Sequence, residues 1–199
     1  MDQLCTGGPF QPDLAGIEGF SGKRLTIGPP GGTSAEYVER IIRLLGIEPA
    51  EFINVDWVEG NELLCSGGAE AGATIVGPPQ PSVEALLNRG KLRILGFSET
   101  SIQKVTKEFP FFFPAEMPPG TYPGQEDPVR TVGIWNLVFC SGEMPENLAF
   151  EILRETFKNK SYIEKAHKAA GQFSGKDAHR FPIPLHSGSL RYHRDSGFL

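Results

Sequence analysis

Cysteine is scarce in this 199-residue chain: Cys5, Cys65 and Cys140 are far apart, show no C-x-x-C spacing and are odd in number. That excludes a cysteine-based zinc site and a complete disulfide framework, and the thiols read as small core hydrophobes. Long apolar runs are also missing. The longest, near Ile134–Phe139 and Phe109–Pro114, are strand-sized, far short of the roughly 18–20 residues of a membrane-spanning helix. Basic residues are in the minority, with 19 Lys and Arg against 24 Asp and Glu and a pI of about 5.4. This balance argues against nucleic acid or an anionic membrane surface as the main partner. Met1–Phe20 holds no cationic stretch followed by an apolar core, so no secretory signal reads there.

Catalytic signatures are absent too. A phosphate loop of the form G-x-x-x-x-G-K-[ST] fails at Gly16–Gly22, which has one residue too many, and Arg24 follows Lys23 where a hydroxyl is needed. No G-x-G-x-x-G follows a strand, and no G-x-S-x-G nucleophile elbow occurs. His167, His179, His186 and His193 lie in the last third without H-E-x-x-H spacing. Glu36, Glu59, Glu62 and Glu70 are scattered and form no obvious acid–base pair. No metal or cofactor is expected, and binding without chemistry is the better-supported class.

What the chain has is glycine and proline, 24 and 17 residues, well above average usage of about 12% for the two together. They sit between short elements. Lys23–Ile27 reads as a strand closed by Gly28-Pro29-Pro30-Gly31-Gly32. Val38, Ile41, Ile42 and Leu45 then recur at helical spacing, with Gly46 placed as the C′ residue. Thr33 and Glu36 have the spacing of a capping box, which starts this helix at about Ser34. Further strands are read at Phe52–Trp57, Ala73–Val76 and Leu92–Leu95, and helices at Asn61–Ser66, from Pro81 through Leu87, and at Ser98–Phe109. Alternation of this kind predicts an α/β lobe with a mainly parallel sheet. Six prolines make residues 110–128 a structured loop or β-ribbon. Arg130–Phe139 reads as a long strand, and Pro145–Phe157 and Ser161–Ala170 as helices. The expected organisation is an irregular lead-in over residues 1–20, an α/β lobe over 21–129, and a return strand and helices over 130–199.

The strand-to-helix turn Gly28–Ser34 is the strongest local feature. Glycines let backbone approach a ligand closely, and the first helical N–H groups have no intrahelical acceptors. With the helix dipole they can receive a carboxylate or phosphate. The same residues also suit an ordinary, well-made βα turn.

Several segments in collinear order resemble the TAXI family of solute-binding proteins, the extracytoplasmic receptors of TRAP transporters. They are Gly22–Gly31, the turn near Ala71–Pro79, Pro119-Gly120-Thr121-Tyr122-Pro123-Gly124-Gln125 with the Val132–Phe139 strand, Met144-Pro145-Glu146-Asn147, and Pro182–Gly188 with Tyr192 and Gly197. The resemblance covers roughly residues 20–199. It implies a type II periplasmic-binding-protein-like fold whose two lobes close on a small anionic solute such as glutamate or glutamine. It also implies membrane subunits of a TRAP transporter as partners, no direct membrane insertion, and an extracytoplasmic location. The family's functional turn maps onto Gly31, Gly32, Thr33 and Ser34, with Gly77 and Pro78 lining the same cleft and Tyr122 covering it. This chain departs from the family in placing its hydroxyls at Thr33-Ser34 and in having Glu70 where Asp is usual. Most of the first lobe has no counterpart, so the expectation is a fragment, or a chain whose missing surface a partner supplies, and a cytoplasmic product if expressed as given. Two other classes remain open: an α/β enzyme acting on an anionic metabolite at the same loop, and a non-binding interaction protein exposing the Pro145–Phe157 helix.

Overall fold

A computed structural model describes residues 2–9, 16–89, 92–176, 178 and 183–199. His179 and Pro182, singled out above, lie outside the described residues. The chain divides into two compact units, residues 1–135 and 136–199.

The first unit is built on a seven-stranded sheet. Its strands are β1 (Asp2–Pro9), β2 (Arg24–Thr26), β3 (Glu51–Ile53), β4 (Ala71–Val76), β5 (Leu92–Leu95), β6 (Phe112–Met117) and β7 (Val129–Ile134). The order is β3-β2-β4-β1-β7-β6, with β5 also on the edge of β1. β2 pairs in parallel with β3 and β4, while β1 is antiparallel to β4, β5 and β7, and β6 to β7. Strand direction is therefore mainly parallel: β2, β3, β4, β5 and β7 run one way, and β1 and β6 the other.

Residues 2–9 correct the expectation of an irregular lead-in. β1 sits between β4 and β5, with Leu4 opposite Ile75 and Gly7 opposite Ile94. Ladder bonds use main-chain groups, which the glycines of this segment supply as well as any residue. No side-chain period was needed, and none was visible.

Helix α1 (Thr33–Leu44) follows β2 and buries Val38, Ile41 and Ile42 completely. Each such side chain contributes roughly 1.5–3 kcal/mol on leaving water. Its outer face carries the pairs Glu36–Arg40 at 3.5 Å and Glu39–Arg43 at 2.7 Å. It stops as expected, at Gly46 with φ +73°. The Gly46 N–H donates to the Arg43 carbonyl and the Ile47 N–H to the Ile42 carbonyl, satisfying two orphan acceptors. The capping box does not form. Gly32 is the N-cap, without a side-chain cap, and the helix begins at Thr33.

Strand alternation gives the sheet two unlike faces. Leu25, Ile27, Ala71, Ala73 and Leu95 pack with α1 and with α4 (Glu99–Glu108), whose Ile102 and Val105 are buried. A short 3-10 helix, Ile17–Phe20, adds two fully buried side chains to this core. A second cluster gathers Leu87, Met117 and Tyr122 with Val76, Val83, Leu92 and Ile94. Helices α2 (Trp57–Ser66) and α3 (Pro81–Leu87) pack on each other, α2 also against β4 and α3 against β5.

The second unit holds α5 (Glu146–Lys158), α6 (Lys160–Ala166), a 3-10 turn (Lys168–Gln172) and α7 (Ser187–Asp195). The single helix expected over Ser161–Ala170 is interrupted at His167, whose φ/ψ of −153°/120° is extended. The strand expected over Arg130–Phe139 ends at Ile134. Beyond it Val138 and Phe139 are 96% and 82% exposed, so the apolar run lacks the burial that would make it a strand. α5 and α7 meet at Gly188, where an added Cβ would run into the Glu146 carbonyl and lie 2.8 Å from the Phe150 nitrogen. Arg191 adds a 2.7 Å ion pair to Glu146 and lies 4.2 Å from the centre of the Phe150 ring. No helix among the described residues is long and apolar enough to cross a membrane.

Candidate functional site

The turns after β2 and β4 emerge side by side, because these strands are parallel neighbours. Gly28–Gly32 and Gly77–Gln80 thus share one edge of the sheet, joined by Asn54–Asp56 after β3. This edge is the place where helices begin, and their first N–H groups point outward.

Two of those helix starts are already occupied. Asp56 Oδ1 accepts from the N–H groups of Val58 and Glu59, at 2.8 and 2.9 Å, at the start of α2. At α4, Ser98 Oγ accepts from the Ser101 N–H at 3.2 Å. There Glu18 Oε1 accepts from the Ser98 N–H at 3.2 Å and the Ser101 hydroxyl at 2.6 Å. Burial alone would raise the Glu18 pKa, but the bonds from Ser101 and Ser98 outweigh it and hold the group below its ordinary value. A carboxylate therefore already fills the α4 terminus. α3 has no side-chain cap, and Tyr122 takes only the N–H of its N-cap residue, Gln80, at 3.0 Å.

The N-terminus of α1 is without a side-chain cap as well, and it follows the glycine turn. Its cap is Gly32, and the N–H groups of Thr33, Ser34 and Ala35 have no partner among the described residues. Thr33 is exposed, and Gly31 turns the chain with φ +72°. Ser34 is 8% exposed, and its hydroxyl is committed elsewhere. It accepts from the Ile75 N–H at 3.1 Å and donates to the Ile75 carbonyl at 3.4 Å. What Ser34 retains for a ligand is its own N–H.

Tyr122 is 2% exposed and packs with Leu87 and Met117. It therefore holds the 77–80 turn from beneath, and its ring is not a free cover over the edge. Pro78 is buried and Gly77 half-buried, with a cis bond between Pro78 and Pro79. Glu70 lies at the opposite ends of β2 and β4. It accepts from the Arg24 N–H at 2.9 Å and Nε at 3.2 Å, and these bonds lower its pKa.

Sequence reasoning missed Trp57 and the space beside it. An apolar pocket of about 70 Å³ lies between the second sheet face and helices α2 and α3, lined by Gly28, Trp57, Leu64, Thr74, Val83 and Ile94 among others. Gly28 has φ +92°, and a Cβ there would collide with the Trp57 ring. Asp56-Trp57-Val58-Glu59 does carry a helix-start signal in sequence, an N-cap acid followed three residues later by Glu. The pocket had none, because its walls come from segments far apart in the chain. Among the described residues no group of three or more His, Cys, Asp or Glu is placed to hold a metal ion.

The model described as the NMT1-like family matches residues 11–197. No curated protein matches the chain. Among solved structures it is similar to one described for glutathione import via GshT and the cystine ABC importer TcyBC of Streptococcus mutans. That match has 11% identity and a TM-score of 0.46, covering 85% of this chain and 59% of the other. It is also similar to the cysteine-binding protein of Campylobacter jejuni, at 14% identity and TM-score 0.42, covering 84% and 54%. A third is the periplasmic aliphatic sulphonate binding protein of Escherichia coli, at 11% identity and TM-score 0.41, covering 98% and 50%. The chain spans only 50–59% of the length of these structures.

Proposed function

We propose a solute-binding role, from the premise that this chain belongs to the NMT1-like family, whose model covers residues 11–197. The observation that carries it is the uncapped N-terminus of α1. Three outward N–H groups, a glycine turn and the helix dipole make a receptor for a small carboxylate. Thr33 and Ser34, with Ala35, hold the anion through their main-chain N–H groups, Gly31 and Gly32 shape the turn that presents them, and the neighbouring Gly77–Pro78 turn borders it. The resemblance to TAXI receptors supports the finer reading: an extracytoplasmic subunit of type II periplasmic-binding-protein form, delivering a carboxylate such as glutamate or glutamine to TRAP membrane subunits. In this reading residues 1–199 supply one lobe and part of the return segments, and solute closes between that lobe and the rest of the receptor.

Thr33→Pro tests it. Proline suits the first helical position and removes one N–H without breaking the helix. Gly32, at φ −77° and ψ 148°, already has the backbone that a following proline requires. Calorimetry with glutamate, glutamine and small monocarboxylates should show binding that weakens about fivefold or more in the variant, the loss of one charge-assisted bond. Equal affinity in both proteins sinks the α1 site. The enzyme alternative would need turnover of a bound anion, which the same titration followed by NMR reads directly.

A further inference from the structure

The apolar pocket between α2 and α3 has a direction. At one end the Arg89 guanidinium donates to Cys65 Sγ at 3.1 Å, tying the ends of the two helices together. At the other end the rim is Gly28, Asp56, Trp57 and Gln80, all in or beside the turns that emerge at the candidate site. Trp57 is 40% exposed and Asp56 is exposed, so this is the open end. The pocket therefore opens on the edge where α1 begins, and Gly28 belongs both to its wall and to the turn that leads into that helix.

Its chemistry is specific. Leu64, Val83, Leu86 and Ile94 supply aliphatic walls, and among the described residues no Lys or Arg lines it. A dicarboxylate side chain finds no counter-charge there, and an unpaired buried charge is costly. The volume of about 70 Å³ is about half the roughly 150 Å³ cavity that holds benzene, which suits a group the size of a Val or Leu side chain. Thr74, on the floor, has a hydroxyl oxygen that is buried without a partner among the described residues.

We propose that this pocket receives the apolar end of the solute, so that within the carboxylate class the solute carries a short branched aliphatic tail, in preference to the glutamate that the family resemblance suggests. The inference rests on the solute-binding reading for its carboxylate, and on the pocket alone for its tail.

Trp57 and Trp135 are the two tryptophans of the chain, so Trp135→Phe leaves Trp57 as a fluorescent reporter at the rim. The full chain is titrated with 4-methylpentanoate, acetate, glutamate and the neutral isobutanol. The expected result is that 4-methylpentanoate binds about tenfold or more tightly than acetate or glutamate, as burial of several methylene equivalents predicts. Isobutanol alone should change Trp57 emission. Val83→Phe, and Val55→Phe on another wall, fill the space; a folded variant of either should narrow the preference and abolish the isobutanol response. Glutamate binding more tightly than 4-methylpentanoate, or an unchanged preference in a folded filled variant, overturns the proposal. An isobutanol response without any carboxylate binding keeps the pocket and overturns the solute reading. Carboxylate binding without an isobutanol response does the reverse.

Discussion

The Ser34 hydroxyl closes a pair of hydrogen bonds on the main chain of Ile75, accepting from its N–H at 3.1 Å and donating to its carbonyl at 3.4 Å. A side chain at the second position of a helix thereby takes the place of a strand neighbour for β4. This contact fixes the start of α1 relative to the turn at Gly77, and so sets the geometry of the candidate site.

Replacing Ser34 with Ala leaves two main-chain groups of Ile75 without these partners. The expected loss is about 1–2 kcal/mol of stability, read by urea denaturation. Because the hydroxyl is not offered to solute, carboxylate affinity measured well below the melting temperature should change less than in the Thr33→Pro variant.

Gly188 is where α7 crosses α5 without a side chain. Ala at this position meets the Glu146 carbonyl and the Phe150 nitrogen, atoms that cannot move without breaking α5. Overpacking of this kind costs about 1–3 kcal/mol. Faster proteolysis within residues 136–199 than within the first unit is the expected readout, and equal rates would show that α7 shifts freely.

His193 is 5% exposed, with Phe157, Tyr192 and Phe198 around it and its Nδ1 buried without a partner among the described residues. Burial lowers its pKa from the ordinary 6.5. The unfolded chain therefore takes up this proton first as pH falls. The stability linked to His193 is intact above pH 6.5 and declines below it, until the folded ring is protonated too. Melting temperature should fall between pH 7.5 and pH 5.5, and His193→Phe should flatten that slope. An unaltered slope in the variant places the titration elsewhere.

Val138 and Phe139 are exposed apolar residues that follow the last strand. Their joint replacement by Asp should change stability by less than about 0.5 kcal/mol, as for exposed sites generally, while reducing binding of a hydrophobic dye. A large loss of stability would mean that these side chains are buried in solution.

The elements with an internal period were legible in the sequence. Helix α1, its Gly46 stop and the strand before it follow from Val38, Ile41, Ile42, Leu45 and the glycine turns, because a helix face and its cap are local properties. The strand read over Phe52–Trp57 is shorter, Glu51–Ile53, because Asp56 caps a helix that begins at Trp57. Residues 2–9 were not legible, since a strand whose sequence is rich in glycine announces itself only through its partners. The run through Phe139 misled in the opposite sense: its residues favour a strand, but the described structure offers nothing for them to pair with.

The candidate site divides along the same line. By itself the sequence determined that glycine turns feed a helix start, and hence that main-chain N–H groups could face an anion. Tertiary structure alone decided which helix starts are free. It gave Asp56 to α2 and Ser98 with Glu18 to α4, left α1 and α3 without a side-chain cap, and turned the Ser34 hydroxyl inward to Ile75. It also made the pocket beside Trp57, whose walls at Thr26, Leu64, Thr74, Val83 and Ile94 come from five different elements of the chain. Such a space is set by how two helices diverge over a sheet face, a relationship that no local pattern in the chain encodes.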